Sequence, residues 1–388
     1  MKSILFIIPG MLLSTFTYCQ SINHSSISFN KNEYNFSLKE SKKAITDTTL
    51  FKSISVIPLE ADIRKHSGGK ISRIYFDENT FFILDKGAEI INIYDKEGHH
   101  INTIKESGYD SKEYRTLADI CVDTVNKELI VLASEPSKIL IYSYQGEFLR
   151  ENHLPTYYES IATDSKFIYL QDNNVVKGEN SVTIFSRDLK NEKEVLEQTF
   201  QFKGHEVDKY TSCAFGRTLT QDSLIHLTQY FDNKIYTAQK GKVLSEYSMD
   251  FKEYTLPDTL LEKKMRPTEF LDICKRNNYI SFITEVIEND KYLLFKTNVG
   301  LCVCKKEDGT ITKYNEVIDS TTGFIINNIR TVGNTNNKMA VVWPISFIKD
   351  SQIMTVKESG FHSQTKKSSK QMLEINNNHS AILIIYEF

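Results

Sequence analysis

The chain of 388 residues carries acidic side chains at the ends of short apolar runs, where they could take part in catalysis. Asp85, Asp119, Asp123 and Asp164 stand at such positions. Two carboxylates brought together from separate segments can act as general acid and base on a glycosidic bond. An aspartate that follows a strand also caps the next turn by accepting backbone N–H groups. We favour turn capping and hydrogen bonds at strand edges as the roles of these four residues.

A second set of residues suits ligand binding better than catalysis. Glu113, Tyr114 and Arg115 follow one another in a loop, and an aromatic ring beside charged groups is suited to ligand capture. Trp343, the only tryptophan, precedes Pro344 and is a candidate for the same surface, although core packing is the role that we favour for it. We predict these residues as ligand-binding residues at a rim, and we assign no catalytic residue.

The spacing of the histidine and cysteine residues gives little support to a metal site. His99 and His100 are adjacent, and adjacent strand residues point to opposite faces, so a shared metal ion is not expected. Cys302 and Cys304 would share one face, but no CxxC spacing or Cys/His cluster accompanies them. We predict buried thiols and no cofactor. Nucleophile-elbow, phosphate-loop and zinc-protease motifs are absent from the sequence.

The elements that must position these residues are short alternating runs typical of β-strands. A Gly turn joins two such runs at Gly98, Gly146, Gly241 and Gly309. The first two glycines are 48 residues apart, and Gly146 and Gly241 are 95 apart, close to twice that spacing. A period of about 40–50 residues indicates a β-propeller blade of four strands.

This period predicts an all-β fold, a six-bladed β-propeller over residues 51–388, after an N-terminal extension at 20–50. The expected blades are 68–106, 114–154, 157–202, 210–251, 279–315 and 324–388. The run at 54–60 has no blade of its own, and pairing with the terminal run AILIIYEF would close the ring and cover both sheet edges. A helical insert is expected near 257–278, interrupted at Pro267. A seven-bladed ring and a row of sandwiches are the alternatives.

Residues 51–155 resemble the start of a six-bladed β-propeller family of exported Bacteroidetes proteins, with an architecture like that of NHL or TolB propellers. The shared motifs are Leu59-Glu60, Gly69-Lys70-Ile71, FFILD ending at Asp85, YDKEG at 94–98 and GYDSKEY at 108–114. The last motif lacks the usual Gly-Pro-Gly centre, and Asn378-His379-Ser380 replaces the family's Asn-Pro start of the terminal strand. The resemblance implies a fold and an exported protein, and it implies no reaction.

The first 19 residues have the pattern of a secretory signal peptide. Lys2 precedes an apolar run from Ile4 to Leu13, which is shorter than the ~20 residues of a membrane span. We predict residues 1–19 as a cleaved signal. A lipoprotein signal ending at Cys19 is the alternative, although Tyr18 stands where a small residue is usual. The expected location is therefore the periplasm, the cell surface or the extracellular space.

The net charge and the composition limit the kinds of partner that we expect for this protein. Lys+Arg 47 against Asp+Glu 50 gives a net charge of −3, which does not suit a nucleic-acid partner. We predict a monomeric binding or scaffolding module without a transmembrane segment, with a protein or carbohydrate ligand at the propeller face. The alternative is a propeller hydrolase or lyase acting on a carbohydrate or lactone, with acids or a calcium or zinc ion at the channel mouth. A structural partner in an envelope complex is a third hypothesis.

Overall fold

The alternating apolar runs of the sequence form antiparallel strands. The computed structural model describes residues 32–60, 71–77, 79–172, 179–186, 200–203, 218–263, 265–320, 323, 325–326, 333–335, 337–344 and 379–388. The signal-peptide prediction for residues 1–19, with Cys19, lies outside these residues, as do Gly69-Lys70 and Cys213. The residues from Lys31 to Phe388 make up one compact unit.

Within the described residues, 24 strands form six groups of four neighbouring antiparallel strands. The first two groups contain β3 (Ile71–Phe76), β4 (Thr80–Asp85), β5 (Ile90–Asp95) and β6 (His100–Ile104), then β7 (Thr116–Asp123), β8 (Glu128–Glu135), β9 (Ser137–Ser143) and β10 (Phe148–His153). The third and fourth contain β11 (Ser160–Thr163), β12 (Phe167–Asp172), β13 (Glu179–Ser186) and β14 (Phe200–Lys203), then β15 (Leu219–Gln221), β16 (Ile225–Thr228), β17 (Lys234–Gln239) and β18 (Lys242–Asp250). The fifth contains β19 (Ile283–Glu288), β20 (Tyr292–Thr297), β21 (Gly300–Lys305) and β22 (Thr310–Ile318).

The sixth group combines the two ends of the folded unit. It contains β23 (Gly333–Thr335), β24 (Lys338–Pro344), β25 (His379–Glu387) and β2 (Ser53–Glu60), in the order β23-β24-β25-β2. Ile54 lies opposite Tyr386 and Leu59 lies opposite Ala381, so the predicted pairing of 54–60 with the terminal run is confirmed.

A strand within the predicted N-terminal extension joins two groups. The first half of β1 (Asn32–Thr46) pairs in parallel with β18, and its second half pairs in parallel with β22. The fourth and fifth groups therefore become one nine-stranded sheet. Phe36 is the only side chain of β1 that is classed as buried, and most of the others are exposed.

The innermost position of each group belongs to its first strand. β3 contacts β7, and the contacts continue through β11, β15, β19 and β23 back to β3, which completes a circle. Apolar side chains fill the space between neighbouring groups, as Phe82 of β4 does beside Leu117 of β7 in one core cluster. All six residues of β4 are buried, whereas the fourth strand β10 has no fully buried residue. Inner strands are thus covered on both faces, which explains their continuous apolar sequences.

The glycine-marked turns all join a third strand to a fourth strand. Gly98, Gly146, Gly241 and Gly309 have φ values of 93°, 84°, 70° and 66°, a left-handed conformation that favours glycine. The predicted turn role of the four glycines is therefore confirmed.

The described helices are short. α1 (Asp47–Leu50) connects β1 to β2, and the predicted insert consists of α2 (Asp258–Leu261) and α3 (Pro267–Asn277), with Pro267 at the first turn of the second piece. Phe270 and Cys274 of α3 pack on Leu260 of α2 in a small core of their own. In the part of the chain that the structure describes, no helix has the length and apolar character needed to cross a membrane.

Candidate functional site

The predicted rim residues do not form one ligand surface with Tyr114 at its centre. Tyr114 is 1% exposed, and its hydroxyl donates to the carbonyl oxygens of Glu89 and Ile104 at 3.1 and 3.2 Å. Burial and the nearby acidic groups raise the pKa of Tyr114. The side chain of Glu113 turns back to accept the N–H of Asp110 at 3.0 Å. Tyr114 therefore packs inward and is not available to a ligand at the surface.

Arg115 stays exposed and belongs to a small surface cluster. Its guanidinium lies 5.1 Å from the ring centre of Tyr109 and 2.5 Å from the Tyr109 hydroxyl. That hydroxyl donates to Glu135 at 2.9 Å, so the Arg115 charge already has an acidic neighbour. Trp343 is half-buried in β24, where it lies opposite Ile382 and packs against the core between the fifth and sixth groups.

Three of the four aspartates at strand ends cap turns, as the sequence predicts. Asp85 accepts the N–H groups of Gly87 and Ala88 at 2.9 and 3.1 Å. Asp123 accepts those of Val125 and Asn126, both at 3.0 Å. Asp164 likewise accepts two N–H groups of the following turn at 3.2 and 2.9 Å. These carboxylates stabilise the hairpins that they cap.

Asp119 does not cap a turn: it lies within β7, and of the two predicted roles it takes that of an acceptor for a neighbouring strand. Its Oδ1 is 3.5 Å from Nε of Arg73 on β3, and its Oδ2 accepts the N–H of Ile161 at 3.2 Å. Burial opposes the charge of Arg73, but the negative charges of Asp119 and Glu285 raise the Arg73 pKa above its ordinary value. Lys296 beside Glu285 is also buried. These charges join neighbouring groups of strands and are shielded from solvent.

Possible metal ligands meet at one exposed turn. Asp95, Glu97 and His99 bring their ligand atoms within 4.8 Å of one another, and they are the only such trio among the described residues. Asp95 Oδ2 already bonds Nδ1 of His99 at 2.9 Å, and this bond raises the His99 pKa. Cys302 and Cys304 are fully buried free thiols, as predicted.

A cleft of about 580 Å³ lies between the fifth and sixth groups. We call it the outer cleft. Its lining residues are Thr49, Leu50, Lys52, Asn289, Asp290, Lys291, Tyr292, Val303, Lys305, Thr312, Tyr314, Asn337 and Phe388. This volume lies in the range of pockets that hold small-molecule ligands.

Local hydrogen bonds fix the walls of the outer cleft. The side chain of Asn289 accepts the N–H groups of Lys291 and Tyr292 at 3.0 and 2.8 Å, which sets the turn between β19 and β20. The ring of Tyr292 meets the ring of Phe388 edge-on at 5.8 Å. Lys52 donates from Nζ to the main-chain oxygen of Phe388 at 3.1 Å. One aromatic wall and one lysine are thereby held in place.

The outer cleft is cationic in a chain whose net charge is negative. Lys52, Lys291 and Lys305 are all exposed there, and Asp290 is the one acidic residue of the lining. Lys42 of β1 lies at the edge, 5.9 Å from the ring centre of Tyr314, and its ammonium group pairs with Glu40 at 3.2 Å. Clustered ammonium groups beside aromatic rings suit an anionic ligand with a ring face.

Asn337 adds an unused acceptor to the outer cleft. Its backbone N–H donates to Asp222 at 3.1 Å, and its carbonyl oxygen accepts the N–H of Phe388 at 2.9 Å. The buried side-chain carbonyl oxygen has no hydrogen-bond partner among the described residues. A buried polar atom without a partner is unfavourable, so a hydroxyl or water donor there would be stabilising.

The outer cleft and the predicted rim residues occupy opposite strand ends. In each antiparallel group the first strand ends where the second begins, and residues 289–291 and Asn337 lie at that end. Trp343 stands at the other end of β24, five residues from Lys338, or roughly 17 Å along the strand. Arg115 lies at the equivalent end of the second group, where its N–H donates to the carbonyl of Glu135 at 2.7 Å.

Sequence reasoning missed the outer cleft because its residues come from separate segments. They lie near residues 49–52, 289–292, 303–314, 337 and 388. No local motif marks them, since isolated lysines and tyrosines occur throughout the chain. To predict these lining residues, one would have to know that β20, β21 and β22 lie beside the C-terminal strand.

Residues 31–387 match the family described as Domain of unknown function (DUF4934). The chain belongs to this family. No curated protein matches the sequence. The description of the DUF4934 family assigns no activity, so the site rests on the geometry above.

Three solved structures are similar to this DUF4934 chain at low identity. A protein of Bacteroides fragilis NCTC 9343 (BF0058), named as an exported protein, is 15% identical with a TM-score of 0.66, and the alignment covers 91% of this chain and 99% of that one. A duf4221 family member from Bacteroides vulgatus ATCC 8482 is 9% identical with a TM-score of 0.47, over 87% and 98% of the two chains. Virginiamycin B lyase from Staphylococcus aureus is 13% identical with a TM-score of 0.43, over 74% and 81%. The first of these supports a shared fold, and the other two carry no argument.

Proposed function

We propose that this DUF4934 protein is an exported six-bladed β-propeller that binds an anionic ligand in the outer cleft. The propeller is supported by the six groups of four strands and by the circle of contacts among their first strands. The pairing of β2 with β25 supports closure of the ring, because it joins the two ends of the folded unit in one group. The sequence of residues 1–19 and the name of the Bacteroides fragilis relative support export.

One observation carries the binding function: Lys52, Lys291 and Lys305 line the same cleft as Tyr292 and Tyr314. Lysine ammonium groups attract carboxylates and sulfates as point charges, without the fixed geometry of arginine. Aromatic side chains offer apolar faces with a polar edge, which suit the flat faces of sugar rings. The cleft therefore favours an acidic oligosaccharide.

Polar uncharged residues fit the same ligand class. Asn289 and Asn337 carry amides, and Thr49 and Thr312 carry hydroxyls, at the walls of the cleft. Amides and hydroxyls both donate and accept hydrogen bonds, as sugar hydroxyls do. Asp290 offers a further acceptor for hydroxyl groups. A binding module of this type holds its ligand without chemical change.

Calorimetric titration with an oligogalacturonate tests this function. We expect binding that weakens as salt increases, and no binding of a neutral cello-oligosaccharide of equal length. Each of Lys291→Gln and Lys305→Gln should weaken binding about tenfold, the effect of one charge-assisted hydrogen bond of roughly 1.5 kcal/mol.

The matched control is Lys275→Gln, which removes an exposed lysine of α3 that is not among the lining residues of the cleft. Its affinity should equal that of the unaltered protein. Equal affinity of all three variants, or equal binding of the neutral sugar, would overturn the proposed function.

A further inference from the structure

Two carboxylates are buried together beside the outer cleft. Asp47 begins α1, Asp319 follows β22, and both are fully buried. Asp47 accepts the N–H of Thr48 at 2.7 Å through Oδ1 and the N–H of Ser320 at 3.0 Å through Oδ2. Asp319 accepts a hydrogen bond from the hydroxyl of Tyr386. The connection between β1 and β2 is thus attached to the fifth and sixth groups through side chains.

The surroundings favour one proton on this pair of carboxylates. Burial and then the negative charge of Asp319 raise the pKa of Asp47 to about 6, and the hydrogen bonds from Ser320 and Thr48 offset only part of this. Among the described residues, the titratable groups that act on Asp47 are Asp319 from the end of β22 and, beyond it, Tyr386 from β25. Burial and the same carboxylates raise the Tyr386 pKa, so its hydroxyl remains a donor to Asp319. Asp47 therefore binds a proton more readily than an ordinary aspartate does.

The buried pair is connected to the wall of the outer cleft through α1. Thr49 and Leu50 of α1 and the nearby Lys52 line the cleft. The N–H of Phe51 donates to the carbonyl oxygen of Asp47 at 2.8 Å, and the Phe51 ring lies 5.1 Å from that of Tyr386. A change in the docking of Asp47 would consequently move three lining residues of the cleft.

We propose that Asp47 and Asp319 form a protonation-dependent latch that holds α1 against the outer cleft. A proton on Asp47 removes the repulsion between the two buried carboxylates. The cleft wall formed by Thr49, Leu50 and Lys52 then stays in place. Loss of that proton places two negative charges together in a site with little solvent, and α1 loosens. The consequence for ligand affinity rests on the proposed function, whereas the loosening of α1 does not.

Hydrogen exchange of the full-length protein tests the latch without a ligand. Backbone amides of residues 48–52 should exchange more slowly at about pH 5 than at about pH 7.5, after correction for the intrinsic rate, because the two conditions bracket the Asp47 pKa. In Asp47→Asn the difference should vanish, since an amide does not ionise. The control Asp272→Asn, at an exposed position on α3, should keep it. Corrected exchange that is equal at the two pH values in the unaltered protein would overturn the latch.

A second variant keeps the test independent of how Asp47→Asn folds. Asp319→Asn removes the negative neighbour of Asp47, so the midpoint of the exchange change should move to lower pH. An unmoved midpoint would contradict a role for the pair. Oligogalacturonate affinity should fall roughly fivefold or more from about pH 5 to about pH 7.5, a coupling of ordinary size. A pH-dependent exchange change without any oligogalacturonate binding would reject the proposed function and leave the latch standing.

Discussion

The imidazole Nε2 of His226 lies 2.7 Å from Oε2 of Glu288, and this contact joins β16 of the fourth group to β19 of the fifth. The other carboxylate oxygen accepts the Tyr247 hydroxyl at 2.6 Å and the Lys306 ammonium at 2.5 Å. Burial alone would raise the pKa of Glu288, but these three donors outweigh it and lower the pKa to about 2. Glu288 is thus an ionised carboxylate that connects two groups of strands.

The Glu288 contacts predict loss of stability in acid. The ionised form stabilises the fold above the ordinary pKa of 4.5, and this contribution disappears as pH falls towards about 2. Glu288→Gln should lower the free energy of unfolding at neutral pH by about 3 kcal/mol, because it breaks a buried charge cluster. Urea unfolding over a pH series measures both effects. Glu307→Gln, at an exposed neighbouring position, is the control and should change little. A Glu288→Gln protein as stable as the control would show that the cluster has no such role.

The turn at Gly98 predicts a steric requirement at the closing strand. Gly98 has φ +93°, and an added Cβ would overlap the carbonyl oxygen of Pro58 in β2. Gly98→Ala should therefore destabilise the protein by more than the ~1 kcal/mol expected for the conformation alone. Gly323→Ala is the matched control, since Gly323 has φ +73° and no atom of the described residues lies within 4 Å of its added Cβ. Chemical denaturation measures the free energy of unfolding of both variants. Equal losses of stability would show that the close contact between Gly98 and β2 has no effect.

Phe36 is predicted to hold β1 on the folded unit. It is 3% exposed, and its ring meets that of Tyr247 edge-on at 5.7 Å. Phe36→Ala should reduce stability by roughly 3 kcal/mol or more, as in other buried aromatic truncations. Hydrogen exchange in residues 32–46 should rise at the same time. The exposed Lys43 on the same strand provides Lys43→Ala as a control. Unchanged exchange in Phe36→Ala would indicate that backbone pairing alone retains β1.

The sequence predicted features whose cause is local. Gly98 and its three counterparts mark left-handed turns, and Asp85 marks a capped hairpin, because each depends on residues within a few positions. The pairing of 54–60 with the terminal run was also predictable, since an unpaired apolar run at each end needs a partner.

Features that depend on tertiary placement were not predictable in the same way. β1 was missed because a strand added at the outside leaves most side chains in solvent, so apolar alternation in NEYNFSLKESKKAIT is limited to Tyr34, Phe36 and Leu38. Tyr114 was predicted at the surface because its sequence neighbours are polar. In the structure it is buried, and its hydroxyl donates to buried carbonyl oxygens. The outer cleft forms where β22, β25 and α1 come together in the fold, and no short sequence motif encodes that arrangement.

The central claim is that the outer cleft binds an acidic oligosaccharide. Hydrogen exchange of the full chain with and without an oligogalacturonate tests it most directly, because protection locates the ligand. We expect slower exchange in residues 289–292 and 303–314 and no change in residues 109–115. Protection confined to residues 109–115, or none anywhere at a concentration that saturates the calorimetric signal, would contradict the claim.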